Sequence, residues 1–248
     1  MSASEPAPLT PGTLYLVATP IGNLEDITLR ALRTLKQCDV VAAEDTRHTA
    51  RLLQHFELHK PLLSYFRFNE ARRSGEILDR LRQGQCVALV TDAGSPGISD
   101  PGERVVSAAR AAGLRVEAVP GPCALVAALT TSGLPTTEFH FLGYLPHKSG
   151  QRRRKLDSLK EVPGTWVFYE SPHRIERLLE ELSVAYPRHT VAFARELTKK
   201  FEEHSVGTPA QLLERCRGRR VRGEIVIMVS PPAQVDPADP EGEAQPSL

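Results

Sequence analysis

The stretch CVALVTDAGSPGISDPG, residues 86–102, decides the fold class. Its first five residues, Cys86–Val90, are a continuous apolar run without polar alternation. Such a run is typical of a strand that is buried on both faces of a parallel sheet. The following loop, Thr91–Gly102, holds three glycines and two prolines among twelve residues. That density favours a loop that shapes a pocket over a simple connection.

Apolar runs of the same kind recur along the chain, at Leu14–Ala18, Val40–Ala43, Val116–Val119, Trp166–Tyr169, Val191–Ala194 and Ile225–Val229. Amphipathic stretches lie between them. In one of these, Ile175, Leu178, Leu179 and Leu182 have the spacing of a single buried helix face. This alternation predicts an open, right-handed α/β sheet.

Several residue pairs mark predicted helix ends. Helix starts are expected at Asp100-Pro101, Ser171-Pro172 and Thr208-Pro209, where a capping oxygen precedes a proline. Helix stops are expected at Gly84 and Gly113.

Two domains are predicted, with a break near Pro120-Gly121-Pro122. Residues 13–122 form a parallel-sheet domain, and residues 123–230 form a second α/β domain. The extended segments Val191–Leu197 and Phe201–Gly207 are separated by few residues, which predicts a mixed sheet in the second domain. Residues 1–12 and the Pro/Asp/Glu/Gln-rich segment 231–248 are expected to be disordered.

The charge of the chain is balanced overall but unevenly placed. There are 31 Lys and Arg residues against 30 Asp and Glu residues. Ten of the basic residues lie in two eight-residue windows, 148–155 and 215–222. We expect these windows to contact phosphate, the alternative being a solvated helix face. The predicted phosphate contacts are Arg152, Arg153, Arg154, Lys155, Arg217, Arg219 and Arg220.

Composition also indicates the cellular compartment and whether a metal site is expected. The four cysteines stand far apart without a CxxC pair, which argues against a zinc site or a disulfide framework and fits a reducing cytosol. No cluster has metal-ligand spacing, so no metal is expected. The chain has no signal-peptide pattern and no apolar run of membrane-spanning length. A cytoplasmic protein with no membrane partner is therefore expected.

The loops that follow the predicted strands hold the candidate chemistry, because open α/β sheets bind ligands outside the carboxyl ends of their strands. Ala18–Asn23 lacks the GxGxxG pattern, and it is also compatible with a plain turn. Glu44–Arg47 is compatible with a helix cap, although Glu44 falls where a dinucleotide enzyme would place its ribose-binding carboxylate. Pro120–Ala124 is either a hinge or a pocket wall, and Cys123 is more simply a small buried filler than a nucleophile.

Two segments of the second half are equally unusual. Tyr169–Arg174 joins a strand to a helix, and capping explains Ser171 but not Glu170, His173 or Arg174. Ala194–Glu203 has dense mixed charge beside an apolar strand, and a solvated hairpin is its alternative.

In this order, the motifs resemble the tetrapyrrole (corrin/porphyrin) methylase superfamily. Within it they are most similar to the ribosomal RNA small subunit methyltransferase I group, the 16S rRNA cytidine 2′-O-methyltransferases. The resemblance spans residues 14–229 and rests on LYLVATPIGNLEDITLRAL (14–32), AAEDTR (42–47), TDAGSPGISDPG (91–102), PGPCALVAAL (120–129), FLGYLP (141–146), FYESPHR (168–174), ARELTKKFEE (194–203) and GEIVIMV (223–229).

The resemblance implies S-adenosylmethionine held in a cleft between two domains, a homodimer, and methylation of cytidine 1402 (usual rRNA numbering) of 16S rRNA in the assembled small ribosomal subunit. It implies cofactor contacts from Ile21, Asp92, Ala93, Gly94, Ile98, Cys123, Ala124, Tyr169 and Leu197.

The chain departs from the family pattern in three places. Cys123 stands where serine is usual, and Phe66 and Arg67 stand where the group places His and Glu. A C-terminal helical region that many members have is absent from this sequence.

The 2′-hydroxyl is a weak nucleophile at neutral pH, so a proton acceptor is expected. The candidates are Glu170, His173 and Glu44, with Lys199 or Arg195 orienting the group. Three alternatives stay open. They are a methylase of a porphyrinoid small molecule, a nicotinamide dehydrogenase, and a catalytically silent RNA-binding module.

Overall fold

The computed structural model describes residues 7–232 and divides into two compact units. The first unit contains the chain up to Thr131 together with Ala194–Glu203. The second contains Ser132–Phe193 and the chain from His204 onward. The division therefore falls after Thr131 rather than near residue 122, and one later segment returns to the first unit.

The first unit is built on a five-stranded sheet in the order β3-β2-β4-β1-β5, and all its strand pairs are parallel. The strands are β1 (Thr13–Val17), β2 (Val40–Ala43), β3 (Leu62–Ser64), β4 (Val87–Val90) and β5 (Arg115–Val119). The helices are α1 (Leu29–Gln37), α2 (Thr46–His55), α3 (Glu70–Arg82), α4 (Glu103–Ala111) and α5 (Ala124–Thr131).

The sheet of the first unit is covered on both faces. Along β4, Ala88 and Val90 belong to one apolar cluster, while Val87 and Leu89 belong to another. All four side chains are at most 1% exposed. Two-sided burial explains why this strand is an unbroken apolar run, as the sequence predicts.

The strand order also determines where a ligand can bind. The chain leaves β1 toward β2 on one side of the sheet and leaves the neighbouring β4 toward β5 on the other side. Loops that depart in opposite directions leave a crevice at the carboxyl ends of the two strands. The loops after β1 and β4 flank this crevice.

The second unit has a mixed five-stranded sheet in the order β6-β7-β10-β8-β9, which confirms the predicted mixed sheet. Strands β6 and β7 are parallel, whereas β7 and β10 are antiparallel. The strands are β6 (Phe139–Tyr144), β7 (Thr165–Glu170), β8 (Thr190–Arg195), β9 (Glu203–Gly207) and β10 (Ile225–Ser230). The helices are α6 (Ser149–Asp157), α7 (Ile175–Ala185) and α8 (Pro209–Cys216).

The predicted helix ends are confirmed in part. Thr208 caps α8 in a capping box with Gln211, and Gly84 and Gly113 follow α3 and α4 with positive φ angles. The other two predicted starts are wrong. Helix α4 begins at Glu103 after Gly102, and the Ser171 hydroxyl accepts from the His173 N–H in a turn that precedes α7.

The end of the N-terminal segment is ordered where it meets the sheet. The Thr10 N–H donates to the Tyr15 hydroxyl at 2.8 Å, and the Gly12 N–H donates to the Gly84 carbonyl at 3.0 Å. The expectation of disorder therefore fails for residues 7–12. Residues 1–6 and 233–248 lie outside the described residues. Within residues 7–232, no helix combines the length and apolarity needed to cross a membrane.

Candidate active site

The loops that follow β1 and β4 are hydrogen-bonded to each other. The Thr19 N–H donates to the Gly94 carbonyl at 2.9 Å, and the Gly94 N–H donates to the Thr19 carbonyl at 3.0 Å. The Thr19 hydroxyl also donates to the Thr91 carbonyl at 3.1 Å. These bonds satisfy buried backbone groups and fix the two loops against each other.

Gly94 lies where three loops meet. Its φ angle is +85°, a conformation that favours glycine. A Cβ added to Gly94 would lie 3.5 Å from Ile21 Cγ2 and 3.7 Å from the Pro122 carbonyl oxygen. The Ser95 hydroxyl donates to that same carbonyl at 3.4 Å. The loops after β1, β4 and β5 therefore converge, as their predicted positions after parallel strands imply.

The other predicted cofactor contacts of these loops lie close by in sequence. Ala93, Cys123 and Ala124 are half-buried, and Ile98 is 38% exposed. The Cys123 carbonyl accepts the Ala127 N–H at 3.0 Å, so Cys123 stands at the amino end of α5. Cys123 is half-buried and belongs to none of the core clusters, so it is not the fully buried filler that was expected.

Two acidic residues meet at the ends of β2 and β4. The Asp45 N–H donates to Asp92 Oδ1 at 3.1 Å, and the Glu44 carboxylate accepts from the Asp92 backbone N–H. Burial raises the pKa of Glu44, and the neighbouring charge of Asp92 raises it further. A half-buried carboxylate of raised pKa at a strand end suits a proton acceptor.

The segment Ala194–Glu203 packs on the loop after β1. A Cβ added to Gly22 would collide with the Lys199 side chain and lie 2.9 Å from the Thr198 hydroxyl. Leu197 is 7% exposed. Glu196 and Thr198 have φ angles of +52° and +66°, which are strained for residues with side chains. Such strain persists only where the surroundings enforce it, so this is not the solvated hairpin that charge alone suggests.

Tyr169 belongs to the second unit, whereas the other eight predicted cofactor contacts belong to the first. Its half-buried ring packs edge-on against Phe141 and Tyr144, with centroid separations of 4.9 and 5.8 Å. These contacts hold the tyrosine in one orientation at the end of β7.

Glu170 is a poor proton acceptor in this structure. Its side chain is 0% exposed, and its carboxylate is ion-paired with Arg174 at 3.0 Å and accepts the Ser171 N–H at 2.7 Å. Arg174 in turn donates to the Leu145 carbonyl and contacts His147 Nδ1. Glu170, one of the two predicted catalytic acids, thus pairs with Arg174, which joins the FYESPHR motif to the end of the FLGYLP motif.

His173 is exposed and lines a groove between α6 and α7. Arg153, Glu176 and Arg177 line the same groove. Of the three predicted proton acceptors, Glu44 alone belongs to the first unit, where it contacts the β4 loop through Asp92.

Both basic windows belong to the second unit. All but one of the predicted RNA contacts are exposed, namely Arg153, Arg154, Lys155, Arg217, Arg219 and Arg220. Arg152 is the exception and corrects the prediction. It is 2% exposed, and its guanidinium holds both carboxylate oxygens of Glu181 at 2.7 and 2.8 Å. It therefore has no access to a phosphate.

A concave surface of about 880 Å³ includes part of the loop that was predicted to shape a pocket, but its arginines Arg67 and Arg104 were not among the predicted site residues. It lies at the carboxyl ends of β2, β3 and β4 and is lined by Glu44, Arg67, Glu70, Gly102 and Arg104, among others. The clustering of unusual residues in three successive strand-end loops is the signal that could have found it. No group of His, Cys, Asp and Glu with the arrangement of a metal site occurs among residues 7–232.

Residues 13–213 match the family model of the Tetrapyrrole (Corrin/Porphyrin) Methylases. The chain belongs to this family. Its relatives include the Ribosomal RNA small subunit methyltransferase I of Halalkalibacterium halodurans, which is 46% identical over 88% of this chain and 75% of the relative. The protein of the same name from Xylella fastidiosa is 48% identical over 92% of this chain and 85% of the relative.

Solved methylase structures share the fold. The uroporphyrin-III-C-methyltransferase of Thermus thermophilus aligns with a TM-score of 0.62 and 26% identity, covering 88% of this chain and 94% of that chain. Diphthine synthase aligns with a TM-score of 0.67 at 14% identity over 88% of this chain and 90% of that chain, which shows a common fold alone. The predicted two-sheet methylase fold is confirmed.

Proposed function

We propose that this protein transfers a methyl group from S-adenosylmethionine to the ribose 2′-hydroxyl of a cytidine in 16S rRNA, cytidine 1402. The observation that carries the proposal is the convergence of the loops after β1, β4 and β5 on Gly94 in a member of the methylase family. The relatives named Ribosomal RNA small subunit methyltransferase I supply the class of substrate.

The residues of the first unit fit the donor. Gly94 and Gly97 both have positive φ angles and keep the loop free of side chains where a bulky ligand would approach the backbone. Ile21, Ala93 and Ile98 offer apolar contact, and Asp92 offers a carboxylate for hydroxyl or ammonium groups. Cys123, Ala124 and Leu197 would complete the first unit's contribution, and Tyr169 would add that of the second. When bound, S-adenosylmethionine supplies a methyl group already activated on sulfonium.

Most of the protein's work in such a transfer is positioning. The ribose oxygen must lie in line with the bond that breaks, and fixed geometry can supply much of the acceleration. The new bond joins the 2′-oxygen to the methyl carbon, the methyl–sulfur bond breaks, and the hydroxyl proton leaves to a base.

Glu44 is the base in this proposal. Its raised pKa makes the carboxylate a better proton acceptor than an exposed glutamate, provided that it is ionised at the working pH. Lys199 Nζ lies 2.8 Å from Glu196 Oε1, and Arg195 donates to Glu203 at 2.9 and 3.0 Å. We assign these two cations to orienting their segment, since both are engaged in ion pairs.

The exposed arginines of the two basic windows serve as phosphate contacts. A homodimer that acts in the cytoplasm on the assembled small subunit completes the proposal, following the family resemblance. Sedimentation velocity of the purified protein tests the dimer, and a monomer at micromolar concentration would contradict it.

The reaction is tested with labelled S-adenosylmethionine and two acceptors. One is the small ribosomal subunit of a strain that lacks the corresponding gene, and the other is a uroporphyrinogen. We expect label in the RNA alone. Label in the porphyrinoid alone would replace this function with that of a small-molecule methylase.

A further inference from the structure

The turn between β3 and α3 presents two phenylalanines to solvent. Phe68 is 88% exposed and Phe66 is 37% exposed, and their rings pack edge-on at a centroid separation of 6.2 Å. Arg67 lies between them and is also exposed. Exposed large aromatic rings on either side of an arginine are costly in water and typical of a binding surface.

The turn is held rigidly. The Phe66 N–H donates to Asn69 Oδ1 at 2.8 Å, and Asn69 Nδ2 donates to the Ser64 carbonyl at 3.1 Å. The fully buried Tyr65 donates through its hydroxyl to Glu70 Oε1 at 3.1 Å. The two rings are thus presented by a preorganised turn, which lowers the entropy cost of binding.

Arg67 of this turn lines the concave surface of about 880 Å³ at the carboxyl ends of β2, β3 and β4, and Phe66 and Phe68 are its neighbours in the sequence. Arg67 and Arg104 line it together with Glu44. Glu44 in turn contacts Asp92 of the β4 loop, which is hydrogen-bonded to the β1 loop through Gly94. The surface is therefore continuous, within the first unit, with the loops assigned to the methyl donor.

The aromatic turn and the concave surface beside it together suit nucleobases more than phosphate alone. Aromatic rings stack on any base, and arginine adds a cation over the base or a phosphate contact. The carboxylates Glu44 and Asp100 would repel a phosphate, but a carboxylate accepts hydrogen bonds from the amino groups of cytosine. A mixed set of aromatic, cationic and acidic groups fits an unpaired strand with its bases turned toward the protein.

From these observations we infer that Phe66, Arg67 and Phe68 bind single-stranded RNA next to the methylated nucleotide by stacking on its bases. The inference rests on the proposed function for the identity of the partner.

The test is binding of a short single-stranded oligoribonucleotide labelled with 2-aminopurine, measured without S-adenosylmethionine. Phe68→Ala is expected to raise the Kd by about 5- to 150-fold and to remove the fluorescence quenching that stacking produces. Phe68→Tyr, which retains the ring, is expected to bind like the unaltered protein. Leu29→Ala is the matched control, because Leu29 is 86% exposed on the same unit.

The contribution of Arg67, the charged residue between the two rings, is tested with a separate control. Arg67→Ala should weaken binding and reduce its salt dependence, whereas Arg82→Ala should not, since Arg82 lies at the other end of α3. Calorimetry with S-adenosylmethionine should give the same affinity for every variant.

An unchanged Kd for Phe66→Ala/Phe68→Ala would overturn the inference. A changed sedimentation coefficient with an unchanged RNA affinity would make the turn a protein contact instead, and this too overturns it. Failure of the unaltered protein to methylate small subunits while Phe68→Ala still loses oligonucleotide binding would count against the proposed function alone.

Discussion

At the scale of single residues, burial and hydrogen bonding separate the acids that can react from those that hold the structure. Glu170 and Glu181 are both buried, and each is ion-paired with an arginine. Glu44 is half-buried beside the like charge of Asp92, and its pKa is raised. We therefore propose Glu44 for proton transfer, and Glu170 for positioning the FYESPHR segment.

Glu44→Gln should lower kcat by roughly 100- to 10,000-fold while leaving the affinity for S-adenosylmethionine unchanged. In the unaltered protein, kcat/KM should rise with pH through the raised pKa of Glu44 and then level off, because only the ionised carboxylate accepts a proton. Single-turnover methylation across pH measures both. Asp45→Asn is the control and should keep its rate, since asparagine caps a helix as well as aspartate.

Glu44→Gln, which should lower kcat, should not lower the free energy of unfolding. Because folding raises the pKa of Glu44, its contribution to stability is complete below the unfolded pKa and is lost as pH rises through the folded value. Charged Glu44 is then a net cost near neutral pH, and Glu44→Gln should leave the free energy of unfolding there unchanged or higher. A lower free energy of unfolding for Glu44→Gln than for the unaltered protein, measured by urea melts at pH 7, would contradict this expectation.

Gly94→Ala should lower the free energy of unfolding by about 1 kcal/mol and weaken S-adenosylmethionine binding, because alanine is strained at its φ of +85°. Gly75→Ala is the matched control. Gly75 lies within α3, and no atom lies within 4 Å of an added Cβ. That change should stabilise the protein by about 0.5–1 kcal/mol. Urea melts and calorimetry measure both, and equal effects at the two glycines would refute the role of Gly94.

At the scale of secondary-structure elements, a buried ion pair joins α6 to α7. Arg152 and Glu181 have side chains that are 3% and 6% exposed, and Ser149 also donates to Glu181. Burial alone would raise the pKa of Glu181, but the hydrogen bonds from Arg152 and Ser149 and the charge of Arg152 together hold it below its usual value. Helix α6, which contains Arg152, Arg153, Arg154 and Lys155, is thus anchored through one of its arginines.

Arg152→Ala should lower the free energy of unfolding by about 3–5 kcal/mol, since it removes the buried guanidinium that binds both oxygens of the Glu181 carboxylate. Arg153→Ala, at a side chain that is 68% exposed, should cost less than about 1 kcal/mol. The pair's contribution is present above the unfolded pKa of Glu181 and is lost as pH falls through its lowered folded value, so the difference between Arg152→Ala and the unaltered protein should shrink in acid. Equal melting temperatures of the two variants at neutral pH would contradict the assignment.

Sequence periodicity predicts most elements, because strands that are buried on both faces, such as β4, are continuous apolar runs. Periodicity fails where a contact with a residue far away in the sequence determines the burial of a side chain or the start of a helix. In the sequence, Arg152 cannot be told from the exposed basic residues beside it. Its burial depends on Glu181, which lies 29 residues later. Ser171 followed by proline has the sequence of a helix cap. In the structure, Arg174 donates to the Glu170 carboxylate, and α7 begins at Ile175, about one turn later.

At the scale of the whole molecule, the site loops were predictable and the division of the chain was not. Glycine and proline after parallel strands indicated the loops that meet at Gly94, because the carboxyl ends of parallel strands share one edge. The return of Ala194–Glu203 to the first unit has no sequence signal. Its contacts with Gly22 arise from packing alone.

Although the total charge is balanced, both basic windows lie on the second unit. Replacing Arg217, Arg219 and Arg220 with glutamine should weaken small-subunit RNA binding and reduce the slope of log K against log salt by about 2–3. Arg82→Gln/Arg110→Gln, two exposed arginines of the first unit, should leave the slope unchanged. Binding titrations at several salt concentrations measure the slopes, and equal slopes would remove this window from the RNA contacts.

The most direct measurement of the central claim is mass spectrometry of 16S rRNA fragments after incubation of undermethylated small subunits with the protein and S-adenosylmethionine. The account predicts one added methyl group on the ribose of a single cytidine, absent when Glu44→Gln replaces the unaltered protein. A methyl group on a base, or none on the RNA at all, would contradict it.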